Sequence, residues 1–328
     1  MPKGGGGKGG GGNESSNKLP VDTDASADQM AEAMFGSGVE IVDASYTGAD
    51  TGSGIFTNGD EKAPDLTPSD SGVILSTGNA KSVTNAGDDA NKSWGTSTSH
   101  GEDGDADLDA IAGMSTYDAA IFEATFIPEG STLSMQVVFS SEEYLEYVDS
   151  GFNDAVGIWV NGVKAELTVG GGDISIDNIN DEDNSNLYID NPSSADTYNT
   201  EMDGFTVTLT LKAPVTPGEE NTIKIGIADA GDSWYDSNLL IAGDSIQTAL
   251  IAEDDDFNVS ADGETTIDVL SNDASSESAT LTITAINGVE VVAGDTVVLS
   301  TGEKITLNAD GERNSVDESR IRFPRMNS

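Results

Sequence analysis

The sequence has no cysteine, a single histidine, and only 14 basic side chains against 59 acidic ones. Without cysteine, a disulfide framework and a thiolate metal site are both excluded. Small exported domains often need such staples, but 328 residues suffice to bury cores without them. The formal net charge of −45 excludes nucleic acid as a partner, because phosphate binding depends on Lys and Arg displacing counterions. It argues equally against anionic membrane surfaces, which attract basic segments. No run approaches the roughly 18 apolar residues of a membrane-spanning helix. The opening MPKGGGGKGGGGNESSNKLP also lacks the apolar stretch of a secretory signal peptide, so residues 1–22 read as a flexible Gly-rich leader. Arginine is missing until position 313; Arg313, Arg320, Arg322 and Arg325 all lie in the tail.

What the chain does contain is a succession of short apolar runs. After the leader, Thr23 or Asp24 is placed to cap a short helix with Ala27, Met30, Ala31 and Met34 on one face, and Gly36 stands at the expected C′ position. From Val39 onward the runs are VEIV (39–42), GVILST (72–77), AIFEATFI (120–127), TLSMQVVF (132–139), AVGIWV (155–160), FTVTLTL (205–211) and NTIKIGIA (221–228). Their alternation and β-branched content predict strands, and the Gly, Asn, Asp and Ser between them predict turns. Many strands without alternating helices imply an all-β domain over residues 23–249, a β-sandwich or jelly roll with one short N-terminal helix. Two polar stretches, 78–107 and 173–203, are too long for simple hairpin loops and call for an organising agent. A smaller β module follows over 250–311, with Asn287–Gly288 as a two-residue hairpin signal. The tail, 312–328, lacks strand alternation and departs in composition, which predicts an aberrant or disordered ending.

Two acidic groups flank predicted strands. Glu142, Glu143, Asn153 and Asp154 bracket one loop; Asp229, Asp232 and Asp236 follow the run IKIGIA, with Ser233 and Asn238 as further oxygen donors. No Lys or Arg lies within either group, and converging carboxylates without a cation raise one another's pKa. Oxygen donors gathered from separate loops suit Ca²⁺, which takes six to eight of them; Zn²⁺ favours the Cys and His that are scarce here. The competing explanation is that each acid simply faces water on a solubilising surface. A second calcium candidate, Asp254, Asp255 and Asp256 with Asn272 and Asp273, sits at the junction between modules, where an ion would stiffen the linker and a solvated hinge is the alternative.

Catalytic readings fare worse. His100 lies in a Ser/Gly loop and no GxSxG elbow accompanies it, which speaks against Ser-His-Asp chemistry. Glu142 and Glu143 resemble a glycosidase pair only superficially, since sequence neighbours on a strand face opposite ways. Trp234 and Tyr235 adjoin the acidic group and form the best candidate sugar platform, with a place in the core as the alternative. Trp159 alternates with Ile158 and Val160.

Several segments are similar to a known family. SGVILSTG (71–78), DADLDAIAG (105–113), TYDAAIFEATFIPEG (116–130), VFSSEEYLEYVDSGFNDAVGIWVNG (138–162), ISIDNIN (174–180), YIDN (188–191), DGFTVTLTL (203–211) and IKIGIADAGDSWYDSNLLI (223–241) resemble the choice-of-anchor L domain, in order, over about residues 33–249. That family comprises bacterial surface and secreted β domains joined to varied anchors, so the resemblance implies exposure outside the cell and no defined catalysis. EDDDFNVSADGETTIDVLSND (253–273) resembles the opening of bacterial cadherin-like or Ig-like repeats. Such repeats occur in large adhesins exported by a type I route. The resemblance implies a partial repeat, a longer parent protein, and a C-terminal secretion signal outside this chain. The expectation is therefore an extracellular, calcium-supported, non-catalytic adhesion or matrix module binding a glycan or protein. A carbohydrate-binding module is the second reading and a glycoside hydrolase the third.

Overall fold

The structure is a computed structural model. It describes residues 17–248 apart from 87–90, 92–94 and 195–196, and beyond them the stretches 250–251, 256–257, 264–267, 274–275, 283, 285–287, 289–299, 304–308, 314–317 and 321–322. In chain order, β1 (Val21–Asp22) precedes helix α1 (Ala27–Met34). Next come β2 (Val39–Thr47), β3 (Ser53–Phe56), the one-turn helix α2 (Gly59–Lys62) and β4 (Gly72–Ser76). Helix α3 (Ala106–Ala112) leads into the long strands β5 (Thr116–Pro128) and β6 (Thr132–Ser141). Then follow β7 (Ala155–Val160), β8 (Val163–Lys164), β9 (Glu166–Leu167), β10 (Ile174–Ser175) and β11 (Tyr188–Asp190). The domain closes with β12 (Gly204–Thr206), β13 (Leu209–Pro214), β14 (Asn221–Ala230) and β15 (Ser237–Ala242).

These strands form two antiparallel sheets. The first runs β1-β3-β4-β15-β6-β12-β11, with β13 on the other half of β6 and β9 beyond it; the second runs β10-β7-β14-β5-β2, with β8 on β7. Their facing sides make one core. Val73, Leu75, Val137, Phe139, Leu239 and Ile241 come from the first sheet, and Phe122, Phe126, Ile158, Ile223, Ile225 and Ile227 from the second. This is the expected all-β sandwich. Helix α1 adds Met30, Ala31 and Met34 to the same core, and the ring of Phe35 lies 5.5 Å from that of Phe126.

A second apolar cluster covers the outer side of the first sheet, joining Ile74, Val138 and Leu240 to Leu19, Phe56, Leu66, Met202 and Phe205. Strands β4 and β15 are thus covered on both faces. A strand buried on both sides needs apolar residues at every position, which is why GVILS and SNLLIA do not alternate. Leu108 of α3 packs on the outer side of the second sheet against Ala119, Ile121 and Ala228. At the free edge of that sheet, the pairing of β2 with β5 slips between Ile41 and Asp43, so Val42 has no ladder partner and is 47 % exposed.

The structure corrects several expectations. Helix α1 is capped by Ser26 in a capping box with Gln29, not by Thr23 or Asp24. Gly36 does not serve as a left-handed C′ residue; a Cβ there would lie 2.2 Å from the carbonyl oxygen of Asp244. Helix α3, not foreseen, begins at the end of the stretch 78–107 and runs beyond it, capped by Asp105 and ended by Gly113 at φ 73°. The strands β3 and β15 were not foreseen, and β15 sits centrally between β4 and β6. Leu19 and Val21 are buried, so the folded unit takes in part of the supposed leader; residues 1–16 lie outside the described set.

Toward the C-terminus, Ala285–Ile286 pairs with Val289–Glu290 across Asn287 at φ 50°, the hairpin expected there. The tail is not devoid of strands: Asn314–Asp317 pairs with both Glu264–Ile267 and Lys304–Leu307, because Ser315 and Val316 supply the extended backbone that those two strands lack between them.

Candidate functional site

The ends of four strands bring most of the predicted acids together at one pole of the sandwich. Asp154 precedes β7, Asp229 is near the end of β14, Asp236 precedes β15, and Glu143 follows β6. All four are almost fully buried. Asp154 is the best anchored: its Oδ1 accepts from the Ala230 amide at 2.9 Å, and its Oδ2 from the Ser237 hydroxyl at 2.7 Å. Asp229 accepts from the Thr77 hydroxyl on one side. Asp236 Oδ1 accepts from the Thr98 amide at 2.7 Å. After these bonds, Glu143 Oε2, Asp229 Oδ1 and Asp236 Oδ2 remain buried with no partner among the described residues.

An unpartnered buried carboxylate oxygen costs several kcal/mol when ionised, so such groups protonate or take a cation. The titration behaviour agrees. Burial, followed by the charge of Asp154, pushes Glu143 up to about 10. Burial lifts Asp154 to about 7 against the bonds from Ser237 and Ala230. Asp229 is raised well above the ordinary carboxylate range, first by burial and then by Asp154. Asp236 rises to about 6 through burial, opposed by its bond from Thr98 and by nearby His100. The ion pairs of Lys62, Lys164 and Lys224 are made with Glu61, Asp173, Asp105 and Asp107, none of them these acids.

The remaining candidates are placed differently. Asp232 is half-buried at the rim, where its Oδ1 accepts from the Trp234 amide at 2.9 Å. Asn153 spends its Oδ1 on the amide of Asp177 at 3.1 Å. Glu142 differs from Glu143: burial pushes it up to about 8, with Asp203 and Glu201 as the charges that add to the rise, and its carboxylate accepts from the Thr96 amide. Both glutamates are at most 3 % exposed, so they do not form an accessible pair astride a glycosidic bond. Of the second predicted group only Asp256 lies among the described residues, in a two-residue strand whose register partner for it is Arg322; Asp254, Asp255, Asn272 and Asp273 lie outside them.

Among the described residues, no group of three or more His, Cys, Asp or Glu side chains is spaced to hold a metal ion. The oxygens suit a hard cation by type, and a bound Ca²⁺ would draw on the open oxygens of Glu143, Asp229 and Asp236, with the already bonded Asp154 beside them.

Several neighbours carry no acidic signature in sequence. Gly78 passes so close to Asp236 that a Cβ would sit 1.9 Å from its Oδ2. His100, the single histidine, donates from Nε2 to the Gly78 carbonyl at 2.9 Å and so holds that strand end in place. Asp118, in a bulge of β5 at φ 46°, accepts from the amides of His100 and Glu102 and pins the segment crossing over the acids.

An aromatic group borders the acids. Trp234 is 64 % exposed, which overturns a place for it in the core. Tyr235 is half-buried, with its ring 5.3 Å from that of Tyr147, which in turn meets Phe152 edge-on at 5.5 Å. Trp159 lies elsewhere, half-buried over Gly157 on the outer side of the second sheet, with Lys224 Nζ 5.1 Å from its ring. It lines an open groove of about 460 Å³ with Glu123 and Asp43.

A family model described as Choice-of-anchor L domain matches residues 19–247, more than half of the chain. The match begins at the buried Leu19 and ends just before the last described residue of the sandwich. The cadherin-like resemblance of the following module has no counterpart among the family matches. No match is found among curated proteins.

Proposed function

The chain belongs to the choice-of-anchor L domain family, and from that premise we propose that it is a non-catalytic module, displayed at a cell surface or secreted, whose sandwich is secured by Ca²⁺ at the buried acidic pole. The observation that carries the calcium part is the set of three unpartnered buried oxygens on Glu143, Asp229 and Asp236, with no Lys or Arg paired to them among the described residues. A divalent cation would serve all three at once, whereas protons serve them singly. Ca²⁺ is favoured because it accepts irregular sets of carboxylate and neutral oxygens.

The role is adhesive or matrix-forming, as a module of a longer surface protein. The test is differential scanning fluorimetry of the full chain in millimolar Ca²⁺, in chelator, and in monovalent salt of matched ionic strength. Ligand at 100 times its dissociation constant stabilises by about 2.7 kcal/mol. Melting should therefore rise more with Ca²⁺ than with the monovalent salt, which only screens, and equal melting temperatures in Ca²⁺ and chelator reject the site.

A second reading, calcium-dependent glycan recognition, is favoured by the exposed Trp234 beside the Tyr235, Tyr147 and Phe152 rings at the rim of that pole. An aromatic face next to ordered polar groups suits a sugar ring. Retention on a glycan array that Trp234→Ala and chelator both abolish supports it; an array blank with and without Ca²⁺ rejects it.

A further inference from the structure

On its outer side, away from the core, the second sheet carries a polar grid, and alternation decides which residues reach it. Ile158 and Val160 of β7, Ile223 and Ile225 of β14, and Ala124 and Phe126 of β5 belong to the core. Their neighbours Trp159, Lys224, Glu123 and Thr125 therefore stand on the outer side. Pairing sets them in rows. Trp159 lies beside Lys224, Lys224 beside Glu123, and Glu123 beside Ser45 of β2. Thr222, Thr125 and Asp43 form the next row.

Strand β2 reaches this grid through its slip. Val39 and Ile41 pack on the core before it, Ala44 and Tyr46 after it. The extra residue, Val42, turns the following ones over. Asp43 thus stands opposite Thr125; in an unbroken register it would oppose Ala124 and face the core.

Trp159, Lys224, Glu123, Thr125 and Asp43 line one open groove of about 460 Å³, within the range of about 300–1,000 Å³ for small-ligand sites. Lys224 does not pair with its ladder neighbour Glu123. Its Nζ lies 2.8 Å from Asp105 and 2.7 Å from Asp107 at the start of α3, and 5.1 Å from the centre of the Trp159 ring. Glu123 is exposed and remains open to a ligand. Strand spacing holds the side chains about 4.8 Å apart across the sheet and about 6.7 Å apart between rows, the scale of the hydroxyls around a sugar ring.

Charge decides the occupant. Asp43, Glu123 and Asp107 repel an anion. A cation drawn to Glu123 and Asp43 meets the Lys224 ammonium, which already holds the position over Trp159 where cation–π attraction would add. A neutral polyol suits the whole lining: carboxylates accept its hydroxyl protons, Ser45, Thr125 and Thr222 both donate and accept, and the indole suits the apolar side of its ring.

We propose that this groove binds a neutral saccharide, with one ring set against Trp159 and its hydroxyls shared between Glu123, Asp43 and Thr125. Neither the acidic pole nor Trp234 belongs to this site. The Val42 slip is what supplies its second carboxylate.

The experiment screens the full chain, in millimolar Ca²⁺, on an array of neutral and anionic oligosaccharides of glucose, galactose and mannose. The best-retained neutral one is then titrated by calorimetry. Glu123→Gln should weaken it about tenfold, the scale of one hydrogen bond to a charged group, and Trp159→Ala at least as much. Because Glu123 is exposed, its variant tests the site even where Trp159→Ala fails to fold. Affinity should hold as salt is raised, since no charge pair with the ligand is screened. A blank array, retention of anionic glycans alone, or binding unmoved by Glu123→Gln overturns the proposal. Loss on Trp234→Ala with Glu123→Gln unmoved places the sugar at the rim of the acidic pole instead. Tighter, salt-sensitive binding of oligolysine than of any neutral saccharide also overturns it and assigns the groove to a basic peptide.

Discussion

Removing calcium should reverse the usual acid sensitivity of a folded protein. Glu143 rises from an ordinary value of 4.5 to about 10, Glu142 to about 8 and Asp154 from 3.8 to about 7, in each case chiefly through burial. Between pH 5 and 7 the folded protein therefore keeps protons that the unfolded chain has released. Stability then falls as pH rises, fully present below the unfolded values and lost toward the folded ones. One retained proton is worth about 1.4 kcal/mol per pH unit, so two units cost about 3 kcal/mol. For a domain of this size that corresponds to a drop of roughly 6–12 °C in melting temperature. Counting a single proton is conservative, since the acids at the pole interact and release theirs as a group. The assay is thermal unfolding in chelator across pH 5–8, repeated in saturating Ca²⁺, where the ion replaces the proton and the slope should flatten. Glu143→Gln should flatten it without calcium, which separates the pole from the general repulsion of a chain at −45. A chelated protein whose melting is level or rises from pH 5 to 7 refutes the reasoning, as does an unchanged slope in Glu143→Gln.

Gly78→Ala should lower the melting temperature and weaken Ca²⁺ binding together, because the added methyl occupies the place of the Asp236 carboxylate; calorimetry and a melt on one sample check both. Leu19→Ala should destabilise the sandwich by about 2–5 kcal/mol, the range for emptying a core position, and urea unfolding measures it. Deleting residues 312–328 removes the strand between Glu264–Ile267 and Lys304–Leu307. Hydrogen exchange should then quicken in those two strands, while the melting of the sandwich holds. Trp234→Ala should leave the melting temperature within about 1 °C, since surface changes are usually within about 0.5 kcal/mol.

The sequence was most legible where a long apolar run ends at clear turns. Strands β4, β5, β6, β7 and β14 were found within a few residues for that reason. Strand β15 was overlooked because SNLLIA opens on two polar residues directly after the acidic run and leaves only four apolar ones. Helix α3 hid among acids: in ADLDAIA only Leu108 and Ile111 are large apolar residues, too few to stand out as a helical stripe. At the site, Asp154, Asp229, Asp236 and Glu143 could be named because acids without cations stand out in any register. That Glu142 parts from them needed the ladder of β6 with β15 and β12, which sequence spacing does not supply. Gly78, Thr77 and Thr98 escaped notice because their contributions are a close approach, a hydroxyl and a backbone amide.

The slipped pairing of β2 bears on how many copies can crowd together without fusing. A free sheet edge is a template on which a second chain can continue the hydrogen-bond ladder, the first step toward fibrils. On β2 that template is interrupted: the displaced Val42 breaks the register, and Glu40 and Asp43 on either side bring charge to an incoming strand. An identical chain would bring the same charges to the same place. Displayed at high density, such modules would repel at the edge where growth would otherwise begin, so contacts between neighbours fall to side chains and not to shared backbone.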